Sequence, residues 1–485
     1  MGIRFSRINW RMSATFFLQA ESFITSFVEA LNQVIEEHKA GDGMSRTQRW
    51  WISFCVMGII MTNTVCWARF ARTGLGKYSL EALSWVFRRS KIPWEKLLCM
   101  SAKVVLRRYG IKEGALLIDD TDKKRSKVTK KIEHVHKIKD KASGGFIMGQ
   151  SIVFLVLVTS KITIPVGFMF YVPDPAMSAW NKLDKALKAQ GVPARQRPSK
   201  PPKDEKYPTK QEIGLILLYQ FRQEHSDIRV RCVLADALYG TKAFLDKASD
   251  IFGGIQVISQ VRANQKVRSR GKEVSVKHYF GKHPGTRKKI MIRGDKEVVA
   301  IIGSARLHVH CHGKKRFVIA LKYEGEEEYR YLLAKDMSWT TQDIVESHTL
   351  RWLAEVFHED WKSYEGWGKL TKQQGEEGSS RSLILSLLTD HCLLLHPEQT
   401  ARIENKLPAC TVGSLQTKVK VDSLLTSIQH ILDLEDPQKY LNQLNEKTRE
   451  IFSLKPSKKQ MSGRDLGNLE PTASLKYKAA EASLA

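Results

Sequence analysis

Residues 116-LLIDDT-121 decide how this chain folds, because an unbroken apolar run ends there on two adjacent carboxylates, Asp119 and Asp120. Leu116, Leu117 and Ile118 read as a strand buried on both faces. A second run, 233-VLADALYG-240, repeats the pattern and ends its strand on Asp236. A third stretch, 351-RWLAEVFHEDWK-362, has the period of an amphipathic helix and carries Glu355. Three carboxylates brought from distant parts of a chain suit a two-metal phosphoryl-transfer site. Hard oxygen ligands hold two Mg²⁺ ions, or Mn²⁺, roughly 4 Å apart, which favours cleavage and joining of phosphodiesters.

The helix is the most specific of the three segments. His348, Arg351, Glu355 and Lys362 are spaced by three, four and seven residues, which predicts all four along one side of one helix. Leu350, Ala354, Phe357 and Trp361 form an apolar stripe beside them, suited to docking on a core. Glu355 would then face a metal site, with Arg351 and Lys362 free to meet phosphates. The competing reading is a surface helix with ordinary i, i+4 ion pairs, and strand-end aspartates that serve only as helix N-caps. Side chains alternate along a strand, so only one of Asp119 and Asp120 is expected to face the site.

Arg351, Trp352, Glu355, Phe357 and Lys362 fit the pattern Y-x2-R-x3-E-x6-K, with His348 where tyrosine is usual. In this the chain resembles the DDE transposases of bacterial insertion sequences, the cut-and-paste group with a β-rich insertion in a ribonuclease H-like domain. The resemblance covers about residues 114 to 396. It implies Asp120, Asp236 and Glu355 as the catalytic, metal-binding triad. The family's first acid directly precedes a threonine, which favours Asp120 over Asp119. The resemblance also implies an insertion that contacts transposon ends, a hairpin intermediate, and a homodimer that brings two DNA ends together.

Composition agrees with a polyanionic partner. The chain has 485 residues, and 78 Lys and Arg against 51 Asp and Glu leave it at +27. Such a field attracts double-stranded DNA through counterion release, in binding that weakens steeply with salt. Its seven cysteines are scattered without a CxxC pair, which argues against a disulfide framework or a zinc finger and for a reducing, cytoplasmic setting, near the nucleoid if the host is bacterial. The apolar stretch Trp50 to Trp67 is interrupted by Thr62, Asn63 and Thr64, which predicts a buried helix and no membrane partner.

Along the chain, residues 1–110 read as a helical DNA-binding domain, with Phe16, Phe17, Phe23 and Phe27 at near-helical spacing, a break at Gly41-Asp42-Gly43, and Ser45 or Thr47 capping the next helix. Arg69, Arg72, Lys77, Arg88 and Arg89 are its plausible DNA contacts. Residues 111–261 read as the first part of a ribonuclease H-like core, of α/β class with a mixed sheet. Its strands fall at Leu116 to Asp120, Gly145 to Val158, Ile162 to Tyr171 and Val230 to Asp236, with a basic loop (Lys123, Lys124, Arg125, Lys127, Lys130, Lys131) beside the first acid and an exposed connection from Pro193 to Pro208. Neighbouring first and fourth strands would bring Asp120 and Asp236 together.

Residues 262–335 read as a β-rich insertion whose basic edge, Lys266, Arg268 and Arg270, suits DNA. Residues 336–400 complete the core, 401–455 are helical, and 456–485 have the composition of a disordered tail. His308, His310 and His312 alternate as if along one strand face, and His134 with His136 likewise. A solvated or DNA-facing strand explains them better than zinc, because the neighbouring carboxylates call for hard ligands. The function these features favour is metal-dependent DNA strand cleavage and strand transfer. Two other readings stand beside it: a non-catalytic DNA-binding regulator derived from a transposase, and a ribonuclease H-like nuclease without strand transfer.

Overall fold

In the computed structural model of the chain the described residues are 21–39, 43–125, 132–140, 144–292, 296–368 and 375–451. Phe16, Phe17, Gly41, Asp42, Lys127, Lys130, Lys131 and the tail from 456 lie outside them. Helices α1 (Ser22–Lys39), α2 (Arg46–Thr62), α3 (Trp67–Thr73), α4 (Leu80–Arg89) and α5 (Trp94–Tyr109) come first. Ser45 and Gln48 form a reciprocal capping box that starts α2, so of the two expected caps it is Ser45 that acts. Asn63, in the left-handed region at φ 51°, ends it. Ten consecutive residues of α2, Trp51 to Ile60, are buried. Among the described residues no single helix is long and apolar enough to cross a membrane, although α2 and α3, bent at 88°, pass such a test as a pair.

The chain then builds strands β1 (Glu113–Lys124), β2 (His136–Lys139), β3 (Phe146–Val158) and β4 (Thr163–Tyr171), followed by α6 (Pro175–Ala189) and α7 (Lys210–Glu224). Next come β5 (Arg229–Ala235), α8 (Lys242–Ile251) and β6 (Gln256–Val261). β1 does not stop at Asp120. It runs on because its pairing with β3 continues to Lys124↔Gly149. Lys123 and Lys124 are therefore strand residues and not part of a basic loop, and Lys123 and Arg125 are buried. α6 is an element that periodicity did not suggest, although Asp174 caps it and Pro175 opens it.

β4, β3 and β1 are antiparallel neighbours, and β5 then joins β1 in parallel, as β6 joins β5. That order and those directions are ribonuclease H-like. The expected adjacency of the first and fourth core strands is present, in register Ile118↔Ala235. Beyond β6 the chain forms β7 (Lys266–Ser269), β8 (Lys272–Ser275), α9 (Val276–Lys282), β9 (Thr286–Ile292), β10 (Lys296–Val309), β11 (Lys314–Tyr323) and β12 (Arg330–Ala334). β12 pairs with β6, so residues 262–335 extend the core sheet, which has 12 strands among the described residues.

Helices α10 (Thr341–Thr349), α11 (Trp352–Tyr364), α12 (Gly375–Leu394) and α13 (Pro397–Glu404) follow, and α14 (Val412–Leu432) leads out of the compact unit that ends at Ser427. In the second unit the described residues contain the end of α14 and α15 (Pro437–Ile451).

Alternation along β1 sets which helices each residue meets. Leu116 and Ile118 pack with Val105 and Leu106 of α5 and with Ile213 and Leu217 of α7. Ala115 and Leu117 pack on the other face with Phe357 and Trp361 of α11 and Leu383 and Leu387 of α12. Each such large side chain, fully buried, contributes about 1.5–3 kcal/mol of hydrophobic stabilisation. The back of α12, through Ile384, Leu385 and Leu388, shares a core with α1, α2 and α5. The helical start of the chain is thus seated behind the helix that supports α11.

Candidate active site

β1 outlasts its neighbour. The last β1–β5 pair is Ile118↔Ala235, so at Asp119 and Asp120 the strand has no partner on the β5 side. Both carboxylates reach around this open edge towards Asp236, the residue that follows β5. One carboxylate oxygen from each of Asp119, Asp120 and Asp236 lies within 4.8 Å of the others. Strict alternation predicts only one of the two β1 acids in the site; the end of the neighbouring strand is why both arrive.

The two acids still have different partners. Asp120, on the α7 side, accepts from Lys210 Nζ, which also lies 5.4 Å from the centre of the Tyr171 ring. Asp119, on the α11 side, has Arg351 Nη1 at 3.9 Å and His358 Nε2 at 3.8 Å. Burial pushes the Asp119 carboxyl up to about 6; Arg351 opposes this, while Asp120 and Asp236 add to it. Asp236 is raised by burial first, against the hydrogen bond it accepts from Leu238 N–H at 2.8 Å. It therefore caps a turn, as the competing reading expected, and belongs to the cluster as well. The Tyr239 hydroxyl is buried beside these three acids with no hydrogen-bond partner among the described residues.

A crowded set of oxygen donors, with the carboxyls of Asp119 and Asp236 raised, fits a hard divalent cation, which would relieve the repulsion and take the donors it prefers. Sequence comparison points to the same chemistry. A family model described as DDE superfamily endonuclease matches residues 44–306, more than half of the chain. The chain belongs to the DDE superfamily of endonucleases. The matched region contains Asp119, Asp120 and Asp236 and ends before Glu355. No curated protein matches this DDE endonuclease in sequence.

Among solved structures, the DDE endonuclease is similar to a piggyBac transposase synaptic complex with hairpin DNA, at 11% identity and TM-score 0.39 over 90% of this chain and 84% of that one. It is also similar to the Endonuclease V of Ciona intestinalis solved with inosine-containing DNA, at 8% identity and TM-score 0.23 over 53% of this chain and 89% of that one. The NurA nuclease of Sulfolobus solfataricus matches at 10% identity and TM-score 0.22, over 49% and 72%. Likenesses this distant establish nothing about the substrate.

The remaining expected site residues of the DDE endonuclease are arranged differently from a single helical face. The hydrogen bonds of residues 350, 351, 353 and 354 run to the third residue before each, so the helix tightens and splits between α10 and α11. His348, on α10, turns into the interior and is 6% exposed; burial, with Arg351 and Arg330, lowers it to about 3. In this arrangement it is turned away from the surface on which the sequence pattern expects it to meet DNA, and burial disfavours its charged form.

Glu355 is exposed and outside the aspartate cluster, bound to Arg351 Nη2 at 2.7 Å. The Arg351 guanidinium therefore lies between Glu355 and Asp119 and is not free. Lys362 donates to Thr121 Oγ1, on the same β1 face as Asp119, and burial lowers its pKa while Asp122 and Asp119 oppose that. Lys266, Arg268 and Arg270 are exposed on the β7–β8 hairpin, away from these contacts.

The histidine pattern also resolves differently. β10 ends at Val309, and His310, Cys311 and His312 form a short 3₁₀ turn, so the three histidines do not share a strand face. His310 pairs with Glu273 at 2.5 Å. His312 is buried: its Nε2–H donates to Gly240 O at 3.1 Å and its Nδ1 accepts from Arg316 Nε at 3.1 Å. Arg316, 1% exposed, also holds Asp246 at 2.6 Å. This chain ties the β10–β11 turn to the loop after Asp236. His134 is likewise not in a strand, and it stacks on Phe170 at 4.6 Å.

Sequence reasoning missed Lys210, His358 and the His312–Arg316–Asp246 group. The capping box of Thr209 and Glu212 marks the start of α7 and so places Lys210 in its first turn, yet nothing local shows that it reaches Asp120.

Proposed function

We propose that this protein is a DNA transposase that binds the two ends of a mobile segment, cuts them, and joins the freed 3′-hydroxyls to a target. The observation that carries the reading is the meeting of Asp119, Asp120 and Asp236 at the open edge of β1, with Glu355 one guanidinium away. Asp119, Asp120 and Asp236 would hold the metal, and Glu355 would complete the ligand set once Arg351 lets it go. A pair of Mg²⁺ ions, or Mn²⁺, supplies activation of the attacking oxygen and stabilisation of the leaving one. Arg351 and Lys362 then turn to the phosphates that flank the cut bond.

Lys266, Arg268 and Arg270 extend the contact along the duplex, and the exposed Arg69, Arg72, Lys77, Arg88 and Arg89 of the helical region offer a second basic surface. Both suit double-stranded DNA as partner. In this reading two copies of the chain hold the paired ends, and the protein works in the bacterial cytoplasm at the nucleoid.

The experiment supplies the purified chain with a plasmid carrying the DNA that flanks its own coding region, a second plasmid as target, and Mg²⁺. The reading expects inverted repeats in those flanks, cuts at their outer ends, and covalent joints between the two plasmids. Cutting without joints would favour a nuclease without strand transfer. Binding without cutting would favour a regulator derived from a transposase.

A further inference from the structure

Between β4 and α7 the chain leaves the sheet for residues 172–209 and returns at Lys210. α6, the folded part of this excursion, has no buried residue. It is held by its own return segment: Trp180 Nε1–H donates to Pro198 O at 2.8 Å, Arg197 pairs with Asp184 at 2.8 Å, and Lys203 binds Glu212. An ordered helix that covers no core has to be explained by something other than packing.

Its charge indicates what that is. Residues 175–208 carry eight Lys and Arg against three acids. Asp184, the acid within α6, is engaged by Arg197 on the inner side. Lys182, Lys185 and Lys188 are exposed and recur every three residues, which keeps them within one third of the helix circumference. Among the described residues none of the three has an acid within ion-pair distance, whereas Arg197 and Lys203 of the same excursion are both paired. Their axial spacing of about 4.5 Å is comparable with the roughly 3.4 Å axial rise between phosphates on one strand of a duplex.

The roots of the excursion lie in the active site. Tyr171, the last residue of β4, holds the Lys210 ammonium over its ring, and Lys210 holds Asp120. Gln211 donates to Leu238 O at 2.6 Å and accepts from Thr241 at 2.9 Å, fixing α7 to the loop after Asp236. The excursion thus springs from residues that touch the carboxylate cluster and the loop after Asp236.

From this we infer that residues 172–209 form a DNA-clamping arm, and that Lys182, Lys185 and Lys188 bind the phosphates of the duplex beside the bond being cut. The arm reads backbone charge and not base sequence. The inference rests on the DNA-cutting function proposed above.

The test replaces the three lysines together by glutamine and measures duplex affinity across a range of salt concentrations, on a flanking-region duplex and on a random one. Three lost phosphate contacts should weaken binding at least about tenfold at 0.1 M salt and make the log–log salt slope shallower by about 2 to 3, equally for both duplexes. Lys182→Arg, Lys185→Arg and Lys188→Arg together should restore the slope. Among the described residues the three side chains are exposed and make no ion pair, so the melting temperature should be unchanged. Wild-type protein that binds DNA with the same slope as the glutamine variant overturns the arm and leaves the proposed function standing. A wild-type protein that binds no duplex overturns both.

Discussion

Arg351 donates to Glu355 at 2.7 Å, and its other terminal nitrogen lies 3.9 Å from Asp119, so one guanidinium separates the fourth acid from the aspartate cluster. Lys210 pairs with Asp120 from the opposite face of β1. Two side-chain cations thus stand where acids crowd.

Removing either cation should therefore tighten metal binding while harming the reaction. Arg351→Ala or Lys210→Met is expected to raise Mn²⁺ affinity by roughly tenfold, the equivalent of about 1.4 kcal/mol at these partly buried carboxylates. Each should also slow strand cleavage. Calorimetric titration without DNA reads the first effect, and unchanged affinity in both variants would mean that neither cation opposes metal entry.

Asp119 and Asp120 are both expected to matter. Asp119→Asn and Asp120→Asn, made singly, should each lower metal-dependent cleavage by about three orders of magnitude, since losing a ligand forfeits several kcal/mol of transition-state stabilisation. Duplex binding should persist in both. A fully active Asp119→Asn enzyme would assign the site to Asp120 alone, as the threonine rule suggests.

The buried Arg316 gives a prediction about stability. Asp246→Ala leaves its charge 1% exposed with, among the described residues, only His312 to accept from it, and unpairing a buried charge costs about 3–5 kcal/mol. Arg316→Met in the same background should recover much of that loss, because the uncompensated charge is gone. Thermal or urea unfolding of the single and double variants measures it, and an additive double variant would contradict the pairing.

Beneath α11, Glu365 and Asp390 are both buried and share a hydrogen bond that raises the Glu365 carboxyl further and holds the Asp390 carboxyl down against its burial. Burial raises Glu365 well above the ordinary range, and raises Asp390 to about 7. Acids whose folded pKa is raised bind more protons in the folded than in the unfolded state, so their contribution to stability falls as pH rises from about 4 to about 7. Buried histidines with lowered pKa, such as His358 and His391, act in the opposite direction as pH falls below about 6.5. Comparison with Asp390→Asn isolates the Asp390 contribution: the variant should lose less stability between pH 4 and 7, keeping only the part due to Glu365, and be more stable at pH 8. Parallel stability curves for the two proteins would show that Asp390 does not titrate in that range.

Much of this arrangement is legible in the chain itself. Apolar runs ending on Asp119 and Asp236 mark strands because β-branched and leucine side chains suit a doubly covered sheet, and the stripe of Ala354, Phe357 and Trp361 does dock on the core. What was not legible depends on neighbours. Both acids of β1 reach the cluster because β5 ends first, which no local pattern encodes. His348 turns inward because the helix splits at Thr349 to Arg351, where every residue has an acceptable helical propensity. The charges of Lys123 and Arg125 suggest a solvated loop; instead Lys123 donates to the backbone of Trp367 and Gly368, and Arg125 bonds Gln150 and stacks over the Trp367 ring at 5.1 Å. Charge runs report composition, and only pairing partners decide which of them face water.

The central claim is that Asp119, Asp120 and Asp236 form the metal site with which this DDE endonuclease cuts DNA. Nicking of a supercoiled plasmid in Mn²⁺, compared between the wild-type chain and Asp236→Asn at equal DNA occupancy, tests it most directly. The account predicts nicks from the wild type that vanish with a chelator, and none above background from the variant. Equal nicking by both proteins would place the chemistry elsewhere.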